Sequence, residues 1–158
     1  MKTETPTATK SAAATSAVVR GLNLLLADTY ALMAITHQAH WNVEGSGFFS
    51  LHKAFHEQYE NLFEAADVIA EQVRSLDAFP IGGLQTLAKE SGIEEFKGPI
   101  SAKDFVAGLI VAHEKAIADG KAVRDTAGQA NDLETQDLVV DRLKWHQKTT
   151  WMLKSYLK

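Results

Sequence analysis

The chain has 158 residues, 46% hydrophobic and 23% charged, with a net charge of −4, which suits one domain with a sizeable core. It contains no cysteine, so disulfides, thiolate metal sites and cysteine nucleophiles are excluded, in keeping with a reducing compartment. Mild acidity argues against a dedicated nucleic-acid binder, whose affinity rests on clustered Lys and Arg, and suits a protein that attracts cations.

Residues 1–14 combine Ala, Thr, Ser and Lys with one Pro and few bulky apolar groups, and are expected to form a disordered tail ahead of a single domain, 15–158. Lys2 and Lys10 make it a poor arm for gripping DNA. The N-terminus lacks the apolar core of a secretory signal. No uninterrupted apolar run approaches the ~20 residues that span a bilayer. A cytoplasmic protein with no membrane partner is therefore expected.

From about Ser16 to Trp41, the residues Leu22, Leu25, Leu26, Thr29, Leu32, Met33 and Thr36 recur at helical spacing and predict a first long helix. Asn42–Gly47 interrupts it with two glycines. A second helix is predicted from about Phe49 to Leu76, with the stripe Phe55, Tyr59, Leu62, Ala66, Ile69, Val73 and Leu76 as a bundle seam. Residues 78–100 are punctuated by Pro80, Pro99, Gly82, Gly83, Gly92 and Gly98, with room for a short helix at Leu84–Glu90. A connection of ~20 residues is too long for a tight turn. It can cross the whole bundle, so that the third helix starts parallel to the second.

Ser101 and Asp104 form a capping signal for that third helix. Phe105, Leu109, Ala112, His113, Ala116 and Val123 line its inner face, and it ends near Gly128. A fourth helix is expected to open at Asn131, with the stripe Val139, Leu143, His146, Thr150, Leu153 and Leu157. The architecture is all-α: a four-helix bundle with one long crossover carrying a short helix, which is the ferritin-like connection.

The chemistry gathers in His37–Glu71. On the second helix, setting His52 at 0° puts His56 at about 40°, Asp67 at about 60° and Glu71 at about 100°. These four metal-capable side chains form a strip away from the core stripe. His52/His56 and Asp67/Glu71 are both i, i+4 pairs, so each can converge on an ion. The pairs are nevertheless roughly 22 Å apart along the helix, and one ion cannot touch both in one chain. A two-fold axis crossing the helix near Asn61–Leu62 would bring the His pair of one copy beside the acid pair of the other, making two identical sites per dimer. His40, at the end of the first helix, can join the His52 end. Mixed imidazole and carboxylate ligation suits iron, with zinc as a competitor.

Motifs for other chemistry are missing: there is no H-E-x-x-H, no Walker A loop and no G-x-S-x-G. Nor is there a Glu-x-x-His, because Ala34, His37, Phe49, Lys53, Ile110 and Leu143 stand three before the histidines. The di-iron site held inside one bundle is thus excluded.

Ala39-His40-Trp41-Asn42-Val43, Leu51-His52, Asp67-x-Ile69-Ala70-Glu71-Gln72 and Trp151-Met152-Leu153 together resemble the Dps family of mini-ferritins over about residues 15–157. The resemblance implies a twelve-subunit cage built from two-fold dimers. Such a cage oxidises Fe(II) with hydrogen peroxide or O2, stores ferric mineral and relieves oxidative stress. It also implies that His40 and His52 are ligands from one subunit, that Asp67 and Glu71 come from its partner, and that Trp41 sits beside the site. His56 stands where the family carries Asp, which implies a histidine-modified ferroxidase centre and makes zinc binding with little redox turnover one alternative. His146 is expected as a core residue, or as an added ligand if the last helix passes the centre, while His37 is expected to support the ligands. Asp132, Asp137 and Asp141 match the acidic three-fold pore through which cations enter. Glu57, Glu60 and Glu64 are expected as mineral-nucleating residues or a solvated face. A DNA-compacting role is the other alternative, and with so little clustered positive charge DNA binding is expected to be weak or absent.

Overall fold

The computed structural model describes residues 6–98 and 100–158, with side chains described from residue 12 onward except at 99. Five helices follow in order: α1 Pro6–Asn42, α2 Phe48–Ser75, α3 Leu84–Ser91, α4 Ala102–Gln129 and α5 Leu133–Tyr156. Among the described residues there is no strand. α1 packs on α2 and α4, α4 packs on α5, and the short α3 of the crossover lies against α1. This is the expected all-α bundle with its long crossover.

The helix ends follow local chemistry. The Ser101 side chain accepts from the Asp104 backbone N–H (3.1 Å), and its hydroxyl donates to the Asp104 carboxylate (2.7 Å), which caps α4 as its sequence predicts. α5 opens two residues later than expected. Asn131 adopts a left-handed φ of 57°, and Asp132 caps the helix by accepting from the Thr135 N–H at 3.0 Å. Asn is one of the few residues that tolerate that conformation.

Residues 6–14 of the anticipated tail continue α1, and residues 1–5 lie outside the described ones. The alanine run before Thr15 has the highest helix propensity, and Ala12 and Ala13 are exposed. By length and composition Ala12–Asn42 could cross a membrane, but half of its apolar window is buried in the bundle, as the core helix of a bundle requires.

The seam of α2 is Leu51, Phe55, Gln58, Leu62, Ala65, Ala66, Ile69 and Val73. Gln58 takes the place expected for Tyr59, because the 4-3 spacing continued from Leu51 and Phe55 arrives at residue 58. Tyr59 is left half-buried at the edge of the bundle.

The core consists of two apolar clusters. One gathers Val18, Leu22, Ile69, Val73, Val123 and Val139, and the other gathers Leu32, Ile35, Phe55, Leu62, Phe105 and Leu109. Between them along the helices lie Asp28, Thr29, His113, His146 and Thr150, all buried. Thr29 and Thr150 satisfy themselves by donating to the carbonyls of Leu25 (2.7 Å) and His146 (2.8 Å). His113 and His146 share a hydrogen bond between their Nδ1 atoms at 2.9 Å. Burial, followed by the nearby Arg142, pushes the His113 imidazole down to about 3. Burial, with His113 and Arg142 adding to it, holds His146 well below its ordinary value. Both rings are therefore neutral at neutral pH. Asp28 accepts from Lys115 (2.8 Å), which also donates to Asp119 (2.7 Å). Burial outweighs that ammonium and pushes the Asp28 carboxyl up to about 7.

These groups bend stability in opposite directions. The unfolded chain protonates its histidines near 6.5 while the fold refuses those protons, so their contribution is complete above pH 6.5 and is lost as pH falls toward 3. Asp28 acts in reverse: its fold-favoured protonated form stabilises below pH 3.8, and that benefit is lost as pH rises through 7. Asp28→Asn removes the opposing titration. Its loss of stability between pH 7 and pH 5 should exceed the wild type's by up to about 1.4 kcal/mol per pH unit, read from urea midpoints at fixed protein concentration. Parallel pH profiles would contradict the assignment.

Candidate metal centre

The turn from Val43 to Gly47 sends α2 back along α1 and brings the end of one helix against the start of the other. Gly45 adopts φ 94°, a conformation open to glycine at no steric cost. Val43 fixes the approach by burying its side chain and donating its N–H to the Ala39 carbonyl at 2.9 Å. Close contact between His40 and His52 follows.

Their rings stack with centroids 3.8 Å apart. The His40 Nδ1–H donates to the His52 carbonyl (2.8 Å), and the His52 Nδ1–H donates to the His40 carbonyl (2.9 Å). A carbonyl only accepts, so both Nδ1 atoms carry the hydrogen, and each Nε2 keeps its lone pair. This second-sphere bond fixes the tautomer and ring orientation that a metal-binding histidine needs. The carbonyl of His40 is available because α1 ends at Asn42, leaving its last carbonyls without intrahelical partners.

His56 lies one turn further along α2, its ring 5.5 Å from that of His40. Its two nitrogens are engaged differently. The Tyr59 hydroxyl is 2.7 Å from Nδ1, and a Glu60 carboxylate oxygen is 3.1 Å from Nε2. Tyr59 also stacks on His37 at 4.2 Å, and His37 lies 4.0 Å from the Trp41 ring. Slight burial, then His40 and His56, holds the His37 imidazole below its ordinary value. Trp41 is 65% exposed, so this histidine and aromatic cluster opens outward.

The anticipated residues therefore divide into groups. His37, Trp41, His40, His52 and His56 come together, with Tyr59 among them. Assigning Tyr59 to the core stripe by its apolar character missed this, although the competing register through Gln58 was readable. Asp67 and Glu71 are exposed, a further 11 and 15 residues along the straight α2, and do not reach the histidines within the chain. Among the described residues no three His, Cys, Asp or Glu side chains converge as a metal-holding group. His146, expected as a core residue or an added ligand, is 1% exposed and packed against His113 and Trp145 between α4 and α5.

The acidic residues are placed as follows. Asp132 is committed in part to capping α5, Asp137 is exposed, and Asp141 accepts from Lys144 at 3.0 Å. Glu57 pairs loosely with Lys53 at 3.9 Å, and Glu64 lines an apolar groove beside α2 with Tyr30, Phe63, Asp67, Val68 and Leu84. Phe63 is 61% and Val68 49% exposed. The face of α2 that carries the acid pair is thus apolar as well as acidic.

Comparison with known proteins identifies the family of this fold. The ferritin-like domain family matches residues 19–158. An uncharacterised low temperature-induced protein of a Nostoc species is 36% identical over 143 residues, covering 89% of this chain and 80% of the relative. A DNA protection during starvation protein of Brevibacillus brevis is 33% identical over 137 residues, covering 87% of this chain and 92% of the relative. Among solved structures, a Dps protein from Bacillus brevis matches with a TM-score of 0.89 at 31% identity over 100% of both chains. A Dps protein from Vibrio cholerae, described as one of the ferritin-like diiron-carboxylate proteins, matches at 0.88 and 29% identity over 92% of both chains. With its sequence matched from residue 19 to residue 158 and its fold matching one Dps structure over the whole of both chains, the chain belongs to the Dps group of the ferritin-like family.

Proposed function

We propose that the protein is a cytoplasmic ferroxidase and iron store whose oxidation sites are shared between two subunits. The observation that carries this reading is the reciprocal His40–His52 bonding, which leaves two Nε2 lone pairs uncommitted beside the half-buried His56, while Asp67 and Glu71 stand exposed far along the same helix. A second copy laid antiparallel across α2 would cover Phe63 and Val68 and bring Asp67 and Glu71 of the partner subunit to the histidines, giving two equal sites per pair. Twelve such subunits closing into a cage would hold the mineral.

Fe(II) is the substrate. Imidazole nitrogens hold the ferrous ion, and carboxylate oxygens favour the ferric product. With peroxide as oxidant the step balances as two Fe(II), one H2O2 and two protons giving two Fe(III) and two waters, which bypasses the one-electron route to hydroxyl radical. His56 in place of a carboxylate lowers the negative charge of the site and shifts its preference toward divalent ions. Asp137 and Asp141, one turn apart on α5 with Asp132 at its start, would line a cation pore, and Glu57 and Glu64 would face the growing mineral.

Two variants test the shared site. Chains carrying His40→Ala with His52→Ala, or Asp67→Ala with Glu71→Ala, should each oxidise Fe(II) at least about tenfold more slowly than wild type. Co-assembled in equal amounts, they should recover about a quarter of wild-type activity, because half of the two-fold pairs are mixed and each mixed pair rebuilds one of its two sites. If either parent is unslowed, the oxidation reading fails. If both are slow but the mixture recovers nothing, the sites are not shared.

The names of several relatives raise DNA protection as a second reading. The cations of α5 give it little support: Lys144 pairs with Asp141, Lys154 pairs with Glu114 at 2.6 Å, and half-buried Arg142 stacks on Trp145 at 4.6 Å. Electrophoretic shift of duplex DNA at ~150 mM salt should show weak complexes or none, and tight complexes there would reverse the ranking.

A further inference from the structure

The start of α2 has no side-chain cap: Gly47 stands at the N-cap position and offers nothing to the free N–H groups of the first turn. Its φ of −88° is open to any residue, so the backbone does not call for glycine here. The neighbours do. A Cβ built at position 47 would lie 2.5 Å from the Tyr156 hydroxyl oxygen and 3.3 Å from Cε2 and Cζ of the same ring. The phenol therefore rests on the glycine backbone, in the space that a side chain would fill. Tyr156 is the last residue of α5 and is 37% exposed, so most of its surface is covered. Leu153, one turn earlier, is buried in the apolar cluster that also holds Leu51 and Phe55 of α2. The end of α5 thus grips the start of α2 with a leucine in the core and a tyrosine at the rim.

This contact leads directly to the histidines. Phe48 follows Gly47 and stacks on the His52 ring with centroids 4.9 Å apart and planes at 26°, and it packs against the same apolar cluster. The Ser50 hydroxyl and the Leu51 N–H donate to the Gly47 carbonyl, both at 3.0 Å, so the first turn of α2 moves with Gly47 as one piece. Further along, α2 and α5 are joined by side-chain bonds: the Gln72 amide donates to Thr135 Oγ1, and the Arg142 guanidinium donates to Asn61 Oδ1, both at 2.9 Å. The contacts of Gln72 with Thr135, Asn61 with Arg142 and Gly47 with Tyr156 run in antiparallel order. Neither polar link reaches the histidine end, where the tyrosine takes over.

We propose that Tyr156 is a positioning residue of the metal centre: seated on Gly47, its ring holds the first turn of α2 and, through Phe48, sets the direction of the His52 imidazole. The inference rests on the shared-site reading above and adds to it a residue from the far end of the chain. The reciprocal bonds of His40 and His52 are 2.8 and 2.9 Å long. A slide of the first turn by about 1 Å would take both beyond hydrogen-bonding range, and a displacement of that size at a reacting centre can cost about a hundredfold in rate. The carbonyls select the tautomer of each ring. The tyrosine fixes where the His52 carbonyl and imidazole stand relative to α1.

Three variants of the full chain test this, each compared with wild type as chelator-stripped, assembled protein. Gly47→Ala places a methyl group where the phenol lies, Tyr156→Ala removes the ring, and Tyr156→Phe keeps the ring without its hydroxyl. Calorimetric titration with Zn(II), a redox-silent probe, should show binding at least about tenfold weaker for Gly47→Ala and Tyr156→Ala, and within about threefold of wild type for Tyr156→Phe. The double variant Gly47→Ala, Tyr156→Ala should be no weaker than the worse of its parents, because both remove one contact. The aim of the metal-free ring is read separately. Solid-state magnetic resonance of protein carrying isotope-labelled histidine should show the Nδ1–H tautomer of His52 in wild type and Tyr156→Phe, and a mixture of tautomers in Tyr156→Ala. Gly47→Ala, which leaves α5 intact, decides both measurements if Tyr156→Ala does not assemble. Wild-type zinc affinity or an unmixed tautomer in Tyr156→Ala overturns the positioning role, as does a Tyr156→Phe chain as weak as Tyr156→Ala. Wild-type zinc binding by the His40→Ala, His52→Ala chain overturns the shared site instead, and the positioning role at that site falls with it.

Discussion

A helix cannot bring its own residues 15 positions apart to one ion, and α2 carries a histidine pair and an acid pair at that separation. Every other feature of the proposed site follows from this constraint. In that reading the acid pair serves a different chain from the histidines beside which it was synthesised. The face that bears it is one that a second copy could cover, since Phe63 and Val68 are exposed there. The bundle's own core cannot supply ligands, because its seam is turned toward α1, α4 and α5. In the ferritin-like arrangement with Glu-x-x-His motifs, the bundle interior holds the metals. Here the interior is occupied by neutral histidines bonded to each other, and the other four histidines lie toward the surface.

Two classes of histidine result. His113 and His146 are sealed and hold each other in the layer between two apolar clusters. His40, His52 and His56 are half-buried, with the Nδ1 atoms of His40 and His52 engaged by backbone carbonyls. The residue type is the same, and only its surroundings distinguish the two classes. Asp28, buried against Lys115 and Asp119, shows the same division among the acids, because its carboxyl is tied into the bundle while Asp67 and Glu71 remain outside it.

Much of this was readable from the chain. The capping pair Ser101 and Asp104, the glycines of the first turn, the length of the crossover and the strip of His and acidic residues on α2 each announce themselves through short-range chemistry. What escaped depended on competition between signals. Tyr59 looked like a core residue because it is aromatic, yet the seam's spacing selected Gln58 and left Tyr59 beside His56. His146 lay on the inner stripe as expected, but its partner is contributed by α4, and no spacing within α5 could reveal that contact. Asp28 sat unnoticed in an apolar stretch, since its Lys115 partner is 87 residues away.

The acceptors that orient His40 and His52 are main-chain oxygens. No side-chain substitution can delete them, so the aim of both imidazoles is insulated from sequence drift at neighbouring positions as long as α1 ends and α2 begins where they do. Vulnerability is transferred to the length of the connection. An insertion or deletion between Val43 and Gly47 would slide one carbonyl past the other imidazole and misalign both rings at once, with every side chain still in place. A lineage can therefore vary the residues around this centre, including the one at position 56, far more freely than it can vary the number of residues in the turn that precedes it.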